Sequence, residues 1–286
     1  MRTPAILTAF AVPLAVAAVL GGCAPADESA PDTSAAPVAC QKDSLPTLTP
    51  GTLTFATDQP AYQPWYVDDD PANGQGYESA VAYAVAEKLG YRRDDVRWVR
   101  VPFNAAIAPG PKSFDANLSE FSITEEREQA VDFSSPYFNV TQAFVTLPSS
   151  PAAGVTTVAG LRDVRLGAQV GTTSYDAARG IGPSQQVAVY NTNEDAKAAL
   201  VSGQIDALAL DLPTAFAVQA ELPGSVIVGQ LPPDPDHAEH FGIVLDKGSP
   251  LTRCVSEAVD QLGDDGVLFR LQKQWLAGPG VAPFLS

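Results

Sequence analysis

The most informative part of the sequence is Asn117-Leu-Ser-Glu-Phe-Ser-Ile-Thr-Glu-Glu-Arg127, which is followed closely by Val131-Asp-Phe-Ser-Ser-Pro-Tyr137. It predicts a buried strand followed by a short turn that carries two hydroxyl side chains and the guanidinium of Arg127. Such donors suit one small carboxylate, because an arginine–carboxylate pair is strong and fixes orientation. A second interpretation stays open here, since Ser122-x-x-Glu125 is also a capping box that begins a helix.

The N-terminal end of the chain has the composition of a secretory signal peptide. Arg2 precedes an apolar segment from Ala5 to Leu20, which is too short and too rich in small residues to be a spanning helix. The sequence Leu20-Gly-Gly-Cys23 predicts a lipid-modified Cys23, as in bacterial lipoproteins; the alternative is an ordinary signal peptide with an incidental cysteine. We therefore expect an extracytoplasmic protein anchored to the cell membrane by a lipid on Cys23.

Composition changes sharply after the predicted cleavage site. Ala24 to Ala39 is rich in Ala, Pro, Asp and Ser and lacks an apolar period, which predicts a disordered tether. We expect residues 1–22 to be the signal peptide and 23–44 to hold the lipidated cysteine and the tether. The remaining chain is long enough for two cores. We assign 45–144 plus 243–286 to a first lobe and 145–242 to a second.

The charge and the scarcity of metal ligands exclude several functions. The chain has 17 Lys and Arg against 33 Asp and Glu, a formal net charge of −16. No nucleic-acid partner is expected, because that binding depends on basic side chains. Three dispersed cysteines and two histidines do not form a zinc site with ordinary spacing, and no phosphate-binding Gly-rich loop with a lysine is present. We expect neither a metal nor a cofactor.

The two remaining cysteines, Cys40 and Cys254, form a pair once Cys23 is lipidated. A secreted protein can keep a disulfide, which would tie the start of the folded body to a late helix. The alternative is two free buried thiols.

Strand-like and helix-like segments alternate along the chain in two cycles. An alternating pattern predicts a strand at 52–56. Strand-like runs predict further strands at 96–101, 144–147, 164–170, 187–190, 205–210 and 241–245, and helical periodicity predicts helices at 77–89, 193–200 and 251–262 and near 268–275. This alternation predicts an α/β protein in which each lobe is a mostly parallel sheet flanked by helices. If Phe144–Leu147 and Phe241–Leu245 cross between the lobes, the C-terminal helices return to the first lobe.

A second group of polar residues follows strands of the second cycle. Gly171, Thr172 and Thr173 form a strand-to-helix turn, whose backbone N–H groups and helix dipole favour an anion. Asp211 ends another strand and suits an ammonium group. Taken alone, each of these is more often a helix cap or a loop residue. Ligands of open α/β sheets lie beyond the carboxyl ends of strands, so these groups and Arg127 together describe a site for an amino acid.

At this point the chain resembles the family 3 bacterial extracellular solute-binding proteins, the receptors of polar amino acid ABC transporters. The resemblance covers nearly all of Thr52 to Leu276. The motifs that carry it, in order, are Gly76-Tyr-Glu78, Ser122-Ile-Thr-Glu-Glu-Arg127, Val131-Asp-Phe-Ser-Ser-Pro-Tyr137, Val170-Gly-Thr-Thr173, Gly203-Gln-Ile-Asp-Ala207 with Asp211, and Asp265-Gly-Val-Leu268 with Trp275.

The resemblance implies a type II periplasmic-binding-protein fold, with two crossing strands as the hinge, that closes on a free amino acid and meets ABC permease subunits as a monomer. It also implies a set of ligand-binding residues. The α-carboxylate would contact Arg127, Ser122, Thr124, Gly171, Thr172 and Thr173; the α-ammonium would contact Asp211; and the rest of the ligand would contact Asp58, Tyr62, Trp65 and Phe103.

Glu120 departs from the family pattern, which has a small residue at this position. Its side chain either contacts the ligand or turns outward into solvent. With Asp58 it motivates the hypothesis of a polar or cationic ligand rather than an acidic one. Two other functions remain open at this stage: a periplasmic-type enzyme, a dehydratase or lyase, on the same scaffold, and a ligand-sensing lipoprotein.

Overall fold

The computed structural model describes residues 39–233, 238–276 and 282–286. The predicted signal peptide, Cys23 and most of the predicted tether lie outside the described residues. Within those described ranges, no helix is both long enough and apolar enough to cross a membrane.

The described chain is organised around two five-stranded sheets. The strands are β1 (Leu53–Thr57), β2 (Val96–Arg100), β3 (Ala116–Asn117), β4 (Val131–Phe133), β5 (Phe138–Val140), β6 (Gln142–Thr146), β7 (Leu166–Gln169), β8 (Ala188–Tyr190), β9 (Ala207–Asp211), β10 (Val226–Gln230), β11 (Glu239–Phe241) and β12 (Val244–Asp246). The helices are α1 (Tyr77–Lys88), α2 (Phe103–Ala106), α3 (Glu125–Glu128), α4 (Thr173–Gly180), α5 (Asn193–Val201), α6 (Leu212–Glu221), α7 (Thr252–Asp264) and α8 (Val267–Trp275).

Both sheets mix parallel and antiparallel pairs. The first has the order β2-β1-β3-β12-β4, and the second has the order β10-β6-β9-β7-β8. In the first, β12 is antiparallel to both neighbours; in the second, β6 is antiparallel to both of its own. The predicted two-lobe α/β fold with mostly parallel sheets is confirmed, because four of the five strands of each sheet run in the same direction. The exceptions, β6 and β12, run the other way because each enters its sheet directly from a crossing strand, without the crossover helix that parallel neighbours need.

A two-stranded antiparallel ribbon of β5 and β11 joins the lobes. One residue separates β5 from β6, and two separate β11 from β12, so each ribbon strand leads straight into the opposite sheet. The two predicted crossings are confirmed, but they lie elsewhere: Phe144, the expected start of the first, is already inside the second sheet.

Two segments that the sequence assigned to the first lobe lie against the second sheet instead. Residues 142–144 pair within the second sheet as part of β6. Residues 282–286 also lie against this sheet: Phe284 forms a parallel bridge with Gln230, Leu285 is buried in the second core, and the Val158 N–H donates to the Ser286 carbonyl at 3.0 Å. Helices α7 and α8 pack on α1 of the first lobe, as expected from a returning chain.

Each sheet is covered on both faces. Phe55 and Ala56 are neighbours in β1 but belong to different buried clusters, because successive side chains of a strand point to opposite faces. Phe144 and Val145 divide in the same way in β6. Every residue of β1, β6 and β9 is buried. This double burial explains the continuous apolar run of residues 207–210 in β9.

The disulfide is formed between Cys40 and Cys254, as the sequence predicts, with 5.1 Å between the Cα atoms. It attaches the start of the described chain to α7. Cys254 is fully buried in the first core, and Cys40 packs against that core. Residues 40–44, which the sequence assigned to the tether, therefore belong to the folded body.

Glu78 lies in the first turn of α1 and is fully buried. Its Oε1 accepts hydrogen bonds from the Glu120 backbone N–H at 2.7 Å and from the Tyr137 hydroxyl. Its Oε2 has no hydrogen-bond partner among the described residues. Burial is the main reason that the pKa of Glu78 rises to about 7.

Removing the disulfide should lower stability without changing the fold. For the Cys40→Ser/Cys254→Ala variant we expect the free energy of unfolding to fall by about 2–5 kcal/mol, because the crosslink closes a very long loop in the unfolded chain. Urea unfolding followed by circular dichroism measures the difference. Treating the unchanged protein with a reductant should reproduce it. A reductant without effect on the urea midpoint would contradict the prediction.

Glu78 should make stability depend on pH. Free glutamate titrates near 4.5, so between about pH 4.5 and 7 the folded chain keeps a proton that the unfolded chain has lost. Stability therefore falls as the pH rises through this window and levels off above it. In Glu78→Gln the fall between pH 5 and 7.5 should be smaller by about 1–3 kcal/mol.

Urea unfolding at a series of pH values measures this change. Glu87→Gln, an exposed substitution in the same helix, is the matched control. A Glu78→Gln profile that runs parallel to that of the unchanged protein would refute the assignment.

Candidate functional site

The motif of Ser122 to Arg127 forms a short loop followed by one turn of helix, α3. Thr124 is the N-cap residue: its Oγ1 accepts a hydrogen bond from the Arg127 N–H at 3.2 Å. The capping interpretation thus applies to Thr124 rather than to Ser122. Thr124 is not among the residues that line the interlobe cleft, so its hydroxyl serves the helix.

Arg127 connects the two lobes directly. Its Nη1 donates to the Ser122 carbonyl at 2.7 Å, and its Nη2 donates to the Gly171 carbonyl at 2.9 Å. The guanidinium carbon lies 5.4 Å from the ring centre of Phe103, and Phe103 stacks on Phe121 at 4.6 Å. Burial lowers the pKa of Arg127 from its ordinary value, but an arginine keeps its charge at any physiological pH.

The turn between β7 and α4 faces Arg127 from the second lobe. Gly171 has a φ of +76°, and a Cβ there would lie 2.2 Å from Asn104 Oδ1, so both backbone and space require glycine. Thr172 caps α4 by accepting from the Tyr175 N–H at 3.1 Å. Thr173 Oγ1 lies 3.1 Å from Ser122 Oγ of the first lobe.

Three carboxylates line the same cleft as Arg127: Asp58, Glu120 and Asp211. Glu120 has a φ of +55°, an uncommon value outside glycine, and the buried carboxylate of Glu78 holds its backbone N–H. Asp211 caps α6 by accepting from the Thr214 N–H at 3.0 Å.

Burial raises the pKa of all three of these carboxylates. It raises the pKa of Asp211 to about 6, raises the pKa of Glu120 well above its ordinary range and raises the pKa of Asp58. For Glu120 the charges of Glu78, Asp211 and Asp58 add to the effect. A positive ligand group would relieve this repulsion.

The aromatic residues of the predicted site separate into two groups. Tyr62 and Phe103 line the cleft. Trp65 is fully buried in the first core and reaches the second lobe through its Nε1, which donates to Thr214 Oγ1 at 2.7 Å. Trp65 is therefore a contact between lobes rather than part of the cleft lining.

The structure brings further polar residues to the site that the sequence did not suggest. Those lining the cleft are Ser119, Gln142, Gln169, Ser174 and Asn193. Glu239, at the start of β11, accepts hydrogen bonds from Ser122, Thr173 and Gln142. No local pattern marks Glu239, because its partners are 66 or more residues away in the chain.

Hydrogen bonds among the described residues hold the lobes against each other. They include Trp65 with Thr214, Arg127 with Gly171, Ser122 with Thr173, and the Tyr62 hydroxyl, which accepts from the Glu194 N–H at 3.4 Å. The structure is therefore a closed arrangement of the two lobes.

Among the residues that the structure describes, no group of three or more His, Cys, Asp or Glu side chains could hold a metal ion. His240 lies on β11, where its Nδ1 is 2.8 Å from Asn139 Oδ1, and it is not among the residues that line the cleft. His237 lies outside the described ranges.

Known proteins share this architecture. Residues 53–278 match the model of bacterial extracellular solute-binding proteins, family 3. The chain is 28% identical over 239 residues to the L-arginine-binding protein of Pseudomonas aeruginosa, covering 78% of this chain and 90% of that protein.

Two solved structures resemble it at similar identity. An ancestral arginine-binding protein bound to glutamine has a TM-score of 0.67 and 29% identity, covering 79% of this chain and 98% of that one. The ancestral amino acid-binding protein AncCDT-1, a precursor of cyclohexadienyl dehydratase, has a TM-score of 0.65 and 30% identity, covering 79% and 95%.

The proteins matched are named as binding proteins, which supports a binding protein over an enzyme on the same scaffold. The family is extracellular, in agreement with the extracytoplasmic location expected from the sequence. Because the match spans most of the chain, the protein belongs to the family 3 bacterial extracellular solute-binding proteins.

Proposed function

We propose that the protein captures a cationic amino acid between its lobes and presents it to an ABC permease. One observation carries this proposal: Arg127 shares a single cleft with three carboxylates, Asp58, Glu120 and Asp211. One carboxylate suffices for an α-ammonium group. The surplus of negative charge favours a second positive group on the ligand.

The roles follow from charge and position. Arg127 pairs with the α-carboxylate, and Asp211 pairs with the α-ammonium group. Glu120 and Asp58 receive the positive end of the side chain, while Tyr62 and Phe103 pack on its apolar part. The arginine-binding name of a relative supports this choice of ligand.

Closure of the lobes is the proposed capture step. The ribbon of β5 and β11 is the hinge, because the two strands that lead from one sheet into the other pass through it. Contacts such as Arg127 with Gly171 form only when the lobes meet. A ligand that contacts both lobes therefore favours the closed state, which a permease would recognise. We propose that the protein acts as a monomer.

Binding titrations test the ligand class. By isothermal titration calorimetry we expect L-arginine, L-lysine or L-histidine to bind with a Kd of about 1 μM or below, about −8 kcal/mol. L-Glutamate should bind at least about 100-fold more weakly because of the carboxylates in the cleft. L-Glutamine and L-cystine complete the panel. Tight binding of glutamate alone would contradict the proposal.

Two variants test which residue binds each end of the ligand. Glu120→Gln should weaken binding of L-arginine about tenfold, the effect of one charge pair of modest strength, and should change L-glutamine binding much less. Glu125→Gln, an exposed substitution on α3, is the matched control. Arg127→Ala should abolish binding of every amino acid while the chain still unfolds cooperatively.

We also propose that a lipid on Cys23 anchors the protein to the cell membrane, on the basis of Leu20-Gly-Gly-Cys23. The Cys23→Ser variant should lose incorporation of labelled palmitate and move from the membrane fraction to the soluble extracytoplasmic fraction. Cell fractionation with immunoblotting measures the distribution. A Cys23→Ser protein that stays in the membrane fraction would rule out this anchor.

A further inference from the structure

Glu239 receives hydrogen bonds from side chains of both lobes. Ser122 Oγ lies 2.5 Å from its Oε1, and Thr173 Oγ1 contacts the same oxygen. Gln142 Nε2 lies 3.1 Å and 2.9 Å from its two oxygens. The backbone of Glu239 pairs with Val140 in the hinge ribbon. The carboxylate is thus held in place by regular structure, beside groups that the sequence assigns to the ligand carboxylate.

The hydrogens of the two hydroxyls can be counted. Each hydroxyl has one hydrogen, and a carboxylate accepts without donating. Both Ser122 and Thr173 therefore direct their hydrogens to Glu239, and none remains for the 3.1 Å contact between the two hydroxyl oxygens. Thr173 lines the cleft, and its Oγ1 also accepts from Gln142 Nε2 at 3.4 Å. A ligand carboxylate needs donors, so neither hydroxyl serves it while Glu239 is in place.

Gln142 is oriented in the same way. Its Oε1 accepts from Ser174 Oγ at 2.6 Å, which turns the amide N–H₂ group toward Glu239. Glu239 thus engages three donors, two of which, Thr173 and Gln142, line the cleft. Arg127 spends one hydrogen bond on each of two backbone carbonyls and keeps further N–H groups for a ligand.

We propose that Glu239 is a specificity-determining residue: by taking the hydroxyl hydrogens of Ser122 and Thr173, it leaves the ligand α-carboxylate to Arg127 and shifts selectivity toward the positive groups of the ligand. This inference rests on the proposed function. It implies that the α-carboxylate contributes less to affinity than it would without Glu239.

The test compares L-arginine with agmatine, which is arginine without its α-carboxylate. Calorimetry gives the ratio of the agmatine Kd to the arginine Kd for each variant. In Glu239→Ala the two hydroxyl hydrogens are freed for the ligand carboxylate, and we expect this ratio to rise about tenfold. Glu239→Val also removes the acceptor oxygens and suits a β-strand, serves as the second variant if the first fails to fold, and should move the ratio in the same direction.

A second comparison separates the hydroxyl effect from the loss of a negative charge. In a Thr173→Val background one of the two hydroxyls is absent. The increase that Glu239→Ala causes in the logarithm of the agmatine-to-arginine Kd ratio should therefore be at most half as large. Glu126→Ala is the matched control, because Glu126 is exposed and acts on Arg127 through its charge. This control should leave the ratio within about twofold.

Two results would overturn the inference. One is a ratio that stays the same or falls in both Glu239 variants. The other is a full increase in the Thr173→Val background, since the change would then come from charge alone. Failure of the proposed function would show in a different measurement, the titration of the unchanged protein, which would then bind neither arginine nor agmatine. In that case the inference would fail as well.

Discussion

The closed arrangement depends on the buried guanidinium of Arg127. It donates to one carbonyl of each lobe, Ser122 in the first and Gly171 in the second, while lying over the ring of Phe103. A buried charge is costly unless it is paired and hydrogen-bonded. The carbonyls supply hydrogen bonds, the charges of Glu239, Asp176 and Glu126 favour the cation, and the remaining N–H groups are free to donate to a further acceptor. In the proposed function, the same side chain links closure of the lobes to binding of the ligand carboxylate.

Burying several carboxylates together on one side of the cleft has a cost in folding stability. Asp58, Glu120 and Asp211 would each be easier to bury as neutral groups, and Glu78 behind them adds to the repulsion of Glu120. A protein selected for stability alone would not place these groups together. Perturbed carboxylates of this kind cluster where a ligand supplies the missing charge. In the proposed function, stability and ligand recognition act in opposite directions at these residues.

Much of the fold and part of the site could be predicted from the sequence, because the relevant signals are local. An alternating pattern marked β1, and apolar runs marked β6 and β9. The positions of Arg127, Thr172 and Thr173 at turns after strands brought them to one cleft. The roles of Trp65 and Thr124 were harder to predict from the sequence, since an aromatic or a hydroxyl side chain in a ligand-binding motif can equally belong to the core or cap a helix. Glu239 and Glu78 could not be found, because their roles arise from partners far away in the sequence.

The last residues of the chain have a mechanical consequence. Helix α8 ends in the first lobe at Trp275, whereas residues 282–286 are attached to the second sheet beside β10. The chain therefore joins the lobes a third time, in addition to the two ribbon strands. The connection from Trp275 to Ala282 can span at most about 25 Å, which limits how far the lobes can separate near β10 while Leu285 stays buried. Wider opening would require this terminal segment to leave its place in the second core.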